Sequence, residues 1–291
     1  MKHTSALVVI PPRAVWDAVQ EVRCVRDKSY LRWMPHVNLL YPFLEDDASG
    51  ETFADAAAIA ADALKDTSPF RCSLRAFAFF EHKRSATVWL HPSQCPVADG
   101  AFESAKARRG VPEREARDDF ADEPGSPAFP PVNESVLSAQ RALERAFPFA
   151  NHLSTIYNSS AGFTPHLSVG QWPDAVSASA AVANLRACWR PVDFDVDAVF
   201  LISRPSDGSG PFRVRARVPL GGGEPEGFET GTETETGTET GAETKTPSAA
   251  EWFREPYAPH APPLGARCLV PKPKRGRGAR RGRGSAKKDD A

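Results

Sequence analysis

The chain has 291 residues, 41% of them hydrophobic, and a formal net charge of -1 at pH 7. This is enough apolar material for one sizeable core, and no apolar run approaches the roughly twenty residues that a membrane-spanning helix needs. The five cysteines show no paired metal-ligand spacing, which indicates reduced thiols in an intracellular protein, cytoplasmic or nuclear, rather than a disulfide framework.

Hydrophobic periodicity predicts alternating strands and helices at the start of the chain. A strand over residues 5–10 is followed by a helix over 12–25, whose valines recur three or four positions apart. A strand around His36 follows. An alanine-rich helix over 51–66 comes next, and we expect it to pack through Phe53, Ile59, Ala60 and Leu64.

Two predicted strands, over 70–80 and 86–90, complete the first half. We expect the first of them to alternate without interruption, so that one face carries Cys72, Leu74, Ala76, Ala78 and Phe80.

The second half repeats the theme. It predicts a helix over 135–147, a strand around His166, a helix over 175–187, and strands near 194–203 and 212–218. This order of elements is the one expected for two similar lobes.

Between the halves, residues 98–131 carry prolines and dense mixed charge with few apolar anchors. We interpret them as an inserted, mostly exposed loop. The alternative is a lid that places arginines on phosphates, with Arg108, Arg109, Arg114 and Arg117 as candidates.

Charge is strongly segregated at the end of the chain. Residues 221–246 hold seven Glu and one Lys among Thr and Gly, which predicts a disordered linker. A proline-rich aromatic segment over 247–270 follows. Residues 271–291 hold nine Lys or Arg against two Asp, and this flexible tail is typical of nucleic-acid binding with little sequence preference or of nuclear localisation. The binding candidates are Lys274, Arg275, Arg277, Arg280, Arg281 and Arg283.

One pattern occurs twice with the same flanks. Residues 35–39 and 165–169 both read as proline, histidine, apolar, small polar and apolar. In a strand, residues i and i+2 point to the same face, so each copy presents an imidazole beside a hydrogen-bond donor. Two such strands facing each other make a cleft with two histidines. One histidine can donate a proton to one oxygen while the other removes a proton from another oxygen.

The His-x-Ser spacing alone is not specific, because it also occurs at His3, His91 and His152. The two chosen histidines differ in that each follows a proline and runs into an apolar segment. His3 lies at the chain start, His91 precedes a proline expected to break a strand ladder, and His152 follows a predicted helix end. Context therefore selects His36 and His166.

With their flanks, residues 34–43 and 163–171 resemble the motifs of the two-histidine (2H) phosphoesterase superfamily, in its 2'-5' RNA ligase-like or cyclic phosphodiesterase-like branch. The resemblance covers roughly residues 1–220. It implies an α+β, two-lobed, pseudo-twofold fold in which antiparallel sheets line a central cleft. It also implies an enzyme that uses no metal and no other cofactor.

The family pattern carries over residue by residue. His36 and His166 are the implied acid and base, and Asn38 and Ser168 stand where the family holds the phosphate oxygens. Asn38 departs from the usual Thr or Ser, although its amide can still donate to a phosphate oxygen. Aromatic residues near the motifs are candidates to stack on a base, or else to pack in the core: Trp33, Tyr41, Phe163 and Trp172.

Three functions are open at this point. The first is metal-independent hydrolysis of 2',3'-cyclic phosphate RNA ends, related cyclic nucleotides or 2'-5' linkages. The second is a non-catalytic RNA-end binding module of the same fold, which Asn38 motivates. For both we expect a monomer that binds RNA or a cyclic nucleotide and no membrane. The third is a scaffold that recruits partners through the C-terminal segments.

Overall fold

A computed structural model describes residues 2–46, 50–95, 129–155 and 162–227, and these ranges combine helices with antiparallel sheets. The strands are β1 Ser5–Val9, β2 Val37–Leu40, β3 Phe70–His82, β4 Ser85–Gln94, β5 Leu167–Trp172, β6 Val192–Val196, β7 Ala198–Ser203, β8 Arg213–Pro219 and β9 Glu226–Gly227. The helices are α1 Trp16–Arg26, α2 Glu51–Leu64, α3 Glu134–Ala146, α4 His152–Thr155 and α5 Ala175–Cys188, with 3-10 turns at Arg13–Val15 and Pro148–Ala150.

Two sheets carry the two histidine motifs at their edges. The first sheet has the strand order β2-β1-β7-β8-β9, and the second has the order β5-β4-β3-β6. All strand pairings are antiparallel. The motif strands β2 and β5 contact each other although they belong to different sheets. The α+β, two-sheet architecture expected from the sequence is confirmed.

The two sheets do not correspond to the two halves of the sequence. β1 and β2 pair with β7 and β8, whereas β3 and β4 pair with β5 and β6. The region predicted near 194–203 is interrupted at Asp197, where the chain leaves the second sheet as β6 and enters the first as β7. Leu220 donates its N–H to the Asp197 carbonyl at 2.8 Å, which stabilises this crossing.

Helix α2 buries one face against the main core, which includes Phe53, Ala60 and Leu64 as expected. Ile59 does not follow, since 47% of it is exposed. At 100° per residue it lies off the stripe that Phe53, Ala56, Ala60 and Leu64 form, so its predicted packing role is wrong.

A β-bulge in β3 overturns the predicted uninterrupted alternation. The register against β4 shifts between Leu74 and Ala76, so one extra residue reverses which side chains face the main core. Cys72, Leu74 and Phe77 belong to the main core, whereas Ala76, Ala78 and Phe80 lie in a separate cluster with Trp89 and Phe129. The bulge therefore places Phe80 on the face that carries His166.

Two predicted segments have ends that pack on the domain. Residues 221–227 are part of the domain rather than of the linker, because β9 pairs with β8 and Arg217 binds Glu226 at 3.4 Å. The end of the inserted loop is not exposed, because Phe129 is buried and the Pro131 carbonyl accepts a hydrogen bond from the Gln94 N–H at 3.0 Å.

The remaining predictions for these segments lie outside the described residues. They concern the rest of the inserted loop with its four arginines, the rest of the linker, the proline-rich segment and the basic tail. Within the described ranges, no helix is long and apolar enough to cross a membrane. The cysteines described there, Cys24, Cys72, Cys95 and Cys188, form no disulfide.

Candidate active site

The two histidines sit in matching backbone frames. The His36 Nδ1–H donates to the Met34 carbonyl at 2.7 Å, and the His166 Nδ1–H donates to the Thr164 carbonyl at 2.9 Å. A carbonyl can only accept, so each Nδ1 carries the hydrogen and each neutral ring keeps its lone pair on Nε2. Both imidazoles are therefore fixed in the same tautomer, with Nε2 as the atom that exchanges protons.

Aromatic rings contact both imidazoles. Trp33 stacks on His36 with 4.4 Å between ring centroids. At His166, Phe80 makes an edge contact at 4.9 Å and Trp89 lies 6.0 Å away. These neighbours replace water, which disfavours the charged form of the ring.

Burial lowers the pKa of both histidines. The pKa of His36 falls to about 4, mainly through burial and also through Arg23 and His166, while the Met34 hydrogen bond and Asp27 raise it. Burial lowers the pKa of His166 as well, against its hydrogen bond to Thr164. Burial thus favours the neutral form of both rings, and the motif strands β2 and β5 that follow them contact each other.

The residues two positions after each histidine behave differently. Asn38 donates its Nδ2–H to Nε2 of His36 at 3.2 Å, and its Oδ1 is buried with no hydrogen-bond partner among the described residues. Ser168 is half-buried on β5, opposite Trp89 on β4. By strand alternation Ser168 shares the face of His166.

Two of the four aromatic residues predicted to stack on a base have no open ring face here. Trp33 stacks on His36 and also on Phe212, 3.6 Å away, and two rings at such distances cannot share one face of the indole. Trp172 is 5% exposed and lies under the Arg26 guanidinium. For these two the stacking prediction is wrong.

The other two aromatics are half-buried. Tyr41 makes an edge contact with Trp33 and donates its hydroxyl to the His3 carbonyl at 3.3 Å. Phe163 packs against the main core. Base stacking by either residue stays a prediction.

The sequence interpretation missed several aromatic neighbours of the histidines and misjudged His91. β4 continues through Pro92, which pairs with Leu74 where the bulge interrupts the ladder. His91 lies beneath Phe129, 6% exposed, and its Nδ1 is 3.0 Å from the Ser93 hydroxyl. Burial lowers its pKa to about 4. Strand pairing, which the sequence alone does not reveal, would have located it beside the motif strand.

Among the residues that the structure describes, no three histidine, cysteine, aspartate or glutamate side chains form a group that could hold a metal ion. The basic tail residues, from Lys274 to Arg283, lie outside the described ranges, so their nucleic-acid binding stays a prediction.

Comparison with known proteins gives one matching family and several similar solved structures. The family model for the 2'-5' RNA ligase superfamily matches residues 11–208. Escherichia coli LigT complexed with 3'-AMP has 12% sequence identity and a TM-score of 0.42, over 75% of this chain and 97% of that one. LigT complexed with phosphate has 14% identity and a TM-score of 0.40, over 75% and 97%. Among curated proteins, none matches the sequence.

Proposed function

Since the chain belongs to the 2'-5' RNA ligase superfamily, we propose that it is a metal-independent phosphodiesterase acting on 2',3'-cyclic phosphate RNA ends or on related cyclic nucleotides and 2'-5' linkages. The observation that supports this most is the pair of imidazoles on contacting edge strands, each held through Nδ1 with Nε2 as its reactive atom. Acid and base on opposite sides of a phosphate are what ring opening needs.

The proposed reaction transfers two protons. His36 accepts a proton from water as the water oxygen bonds to phosphorus, and the bond from phosphorus to the ribose 3' oxygen breaks. His166 gives its proton to that departing oxygen, which leaves a 2'-phosphate. The two rings return to their starting states by proton exchange with solvent. Each proton-transfer group contributes about a hundredfold to ten-thousandfold in rate.

The electrostatics favour this assignment of roles. Burial, together with the Arg23 cation, lowers the pKa of His36 to about 4, so its Nε2 lone pair is free of a proton and available to act as a base. Burial also lowers the pKa of His166, but an arriving phosphate anion stabilises an imidazolium next to it. His166 therefore becomes the acid when substrate binds.

Ser168 and Asn38 are the proposed donors to the non-bridging phosphate oxygens. Charge builds on these oxygens in the transition state, and fixed donors stabilise it. For Asn38 this role has a cost, because its amide must first leave Nε2 of His36.

The test is hydrolysis of a short RNA ending in a 2',3'-cyclic phosphate, with EDTA present and the product identified by phosphorus NMR. We expect turnover to a 2'-phosphate, with loss in His166→Ala. The matched control is His82→Ala, since His82 is exposed at the hairpin between β3 and β4. Full activity of His166→Ala, or turnover that requires an added metal, would contradict the proposal.

The Asn38 contact also supports a second candidate, a module that binds an RNA end without turning it over. The amide occupies the lone pair of His36 that the base needs. This alternative predicts tight binding of the cyclic-phosphate RNA with no product, and binding that depends on Ser168. Product formation by the native chain excludes it.

We further propose that the basic tail holds nucleic acid without sequence preference. Nine Lys or Arg against two Asp on residues 271–291 release counterions when they meet a phosphate backbone. A chain that ends at residue 270 should bind single-stranded RNA more weakly and with a shallower salt dependence. Its kcat on a dinucleotide that ends in a 2',3'-cyclic phosphate should equal that of the full chain. An unchanged salt dependence of RNA binding would contradict the role of the tail.

A further inference from the structure

The end of helix α1 connects the two histidine motifs. Gln171 lies on β5, five positions after His166, and its Oε1 accepts a hydrogen bond from the Lys28 N–H at 2.9 Å. Its Nε2 lies 3.5 Å from Oδ1 of Asp27, at the limit of a hydrogen bond. The segment that leads from α1 to His36 is therefore attached to the strand that carries His166.

Asp27 is itself held in a buried ion pair. Nε of Arg23 donates to Oδ2 of Asp27 at 2.7 Å, and both side chains are only 2% exposed. Asp27 also accepts the Ser29 N–H at 2.8 Å. A charged pair with this many hydrogen bonds fixes the geometry of its surroundings, because breaking it leaves a buried charge without a partner.

The other end of Arg23 reaches the frame of His36. One terminal nitrogen donates to the Trp33 carbonyl at 2.8 Å. Trp33 stacks on the His36 ring, and the next residue, Met34, accepts the Nδ1–H of that ring. Contacts thus run without a gap from Gln171 through Asp27 and Arg23 to His36.

The backbone of the second motif is shaped to receive this helix end. A Cβ on Gly170 would lie 2.5 Å from Cβ of Arg26 and 3.0 Å from its carbonyl carbon. The Arg26 guanidinium lies over the Trp172 ring at 5.7 Å. The end of α1 therefore packs directly on β5 at Gly170, next to the hydrogen bond between Lys28 and Gln171.

We call the contacts that run from Gln171 through Asp27 and Arg23 to Trp33 the bridge. The arrangement of the two sheets explains why the bridge matters. β2 and β5 are edges of different sheets, so no ladder of backbone hydrogen bonds sets the position of one histidine relative to the other. Two-proton catalysis depends on that position, and a misplacement of about 1 Å costs about a hundredfold in rate. The bridge supplies the constraint that the sheets lack.

We propose that Arg23, Asp27 and Gln171 are positioning residues that set the spacing and orientation of the His36 and His166 imidazoles. This inference rests on the proposed function for its kinetic readout, but its structural readout does not. Neither Asp27 nor Gln171 is proposed to touch substrate.

The bridge also acts on the charge of His36. Among the described residues, three charged or titratable groups act on the pKa of that ring: Arg23 on α1, Asp27 directly after α1, and His166 directly before β5. Arg23 lowers the pKa of His36 and Asp27 raises it. Neutralising one end of the pair should therefore shift the titration of His36 in the direction opposite to neutralising the other.

The kinetic test compares Gln171→Ala with Gln94→Ala, a control glutamine that is exposed at the end of β4. We expect Gln171→Ala to lower kcat by about tenfold to a hundredfold with KM within about twofold, because the substrate contacts remain while the imidazoles lose their alignment. Thermal unfolding should change little, since Gln171 is half-buried. An unchanged kcat would overturn the proposal.

The structural test follows the ring protons of His36 by NMR during a pH titration and needs no activity. Arg23→Gln should raise the midpoint and Asp27→Asn should lower it, whereas a purely structural pair would shift both in the same direction. Gln171→Ala, the mildest variant, should raise the midpoint because the ring becomes better hydrated and separates from His166. If the native midpoint persists in Gln171→Ala, the bridge does not position His36, whether or not the chain hydrolyses RNA.

Discussion

β2 and β5 present their histidines in the same way and surround them differently. Each strand lies at a sheet edge, and each Nδ1 donates to the carbonyl two residues before its histidine. The two motifs differ at the residue two positions after the histidine. Asn38 donates a hydrogen bond to Nε2 of His36, whereas Ser168 lies opposite Trp89. The hydrogen bond at Nδ1 thus makes Nε2 the atom that exchanges protons in both motifs. The residue two positions later determines whether that Nε2 is already hydrogen-bonded.

The fourth position after each histidine differs as well. Leu40 is fully buried in the main core, whereas Gly170 leaves room for the end of α1. The first motif is held by its own core packing, and the second is held against a helix that also supports the first. Four changes test this difference between the two motifs.

The largest effect is expected from truncating Ser168 and Asn38, the residues two positions after each histidine. Ser168→Ala should lower kcat by about a hundredfold to a thousandfold, the usual consequence of losing one donor to transition-state charge. Asn38→Ala should cost much less, since it loses a donor but also releases Nε2 of His36. Steady-state kinetics on a cyclic-phosphate RNA measures both. Equal losses in the two variants would mean that the motifs are functionally symmetric.

Gly170→Ala should destabilise the fold by about 1–3 kcal/mol, as overpacking in a well-filled region does. The new methyl would meet the backbone and Cβ of Arg26, and neither can move away as the tip of a flexible side chain would. Urea unfolding measures the change. The control is Gly227→Ala, where nothing lies within 4 Å of the added Cβ. Equal stability of Gly170→Ala and the native chain would show that α1 does not press on β5.

Acidification should destabilise the protein between about pH 6.5 and pH 4. The pKa of His36 and that of His91 are both lowered to about 4 in the fold, so in this window the unfolded chain binds more protons and stability falls with pH. Each histidine should cost about 2 kcal/mol between pH 7 and pH 5. Unfolding free energies at the two pH values measure this, and His91→Gln should remove the His91 contribution and leave that of His36. A flat profile would mean that neither ring is buried in solution.

The smallest effect is expected from Asn38→Thr. Removing the amide from Nε2 of His36 releases a hydrogen bond worth about 0.5–1.5 kcal/mol, so kcat/KM should rise by about twofold to tenfold. The threonine hydroxyl remains a donor for the phosphate. A fall in kcat/KM on the same substrate would show that the amide assists catalysis rather than restrains it.

The strands β5 and β3 show which parts of the fold sequence patterns predict and which they do not. The second motif strand and its flanking helix follow from periodicity, since burial on one face dictates the pattern. The β3 bulge does not, because a single extra residue between Leu74 and Ala76 leaves no mark in composition, yet it decides that Phe80 faces His166.

The site shows the same limit. Proline flanks and residue types single out His36 and His166, because they depend on local geometry. The bridge through Asp27 and Gln171 joins residues 144 positions apart, and only the packing of α1 on β5 brings them together. The crossing of the chain at Asp197 is equally non-local, because β6 pairs with β3 in one sheet and β7 pairs with β1 in the other.

The two-histidine mechanism is tested by the hydrolysis of a 2',3'-cyclic phosphate RNA by the native chain, His36→Ala, His166→Ala and the double variant, all with EDTA present. Groups that act as one unit give non-additive losses. We expect each single variant to lose about a hundredfold to ten-thousandfold in kcat and the double variant to be only slightly slower than either. Native activity in either single variant, or losses that multiply fully in the double variant, would contradict this mechanism.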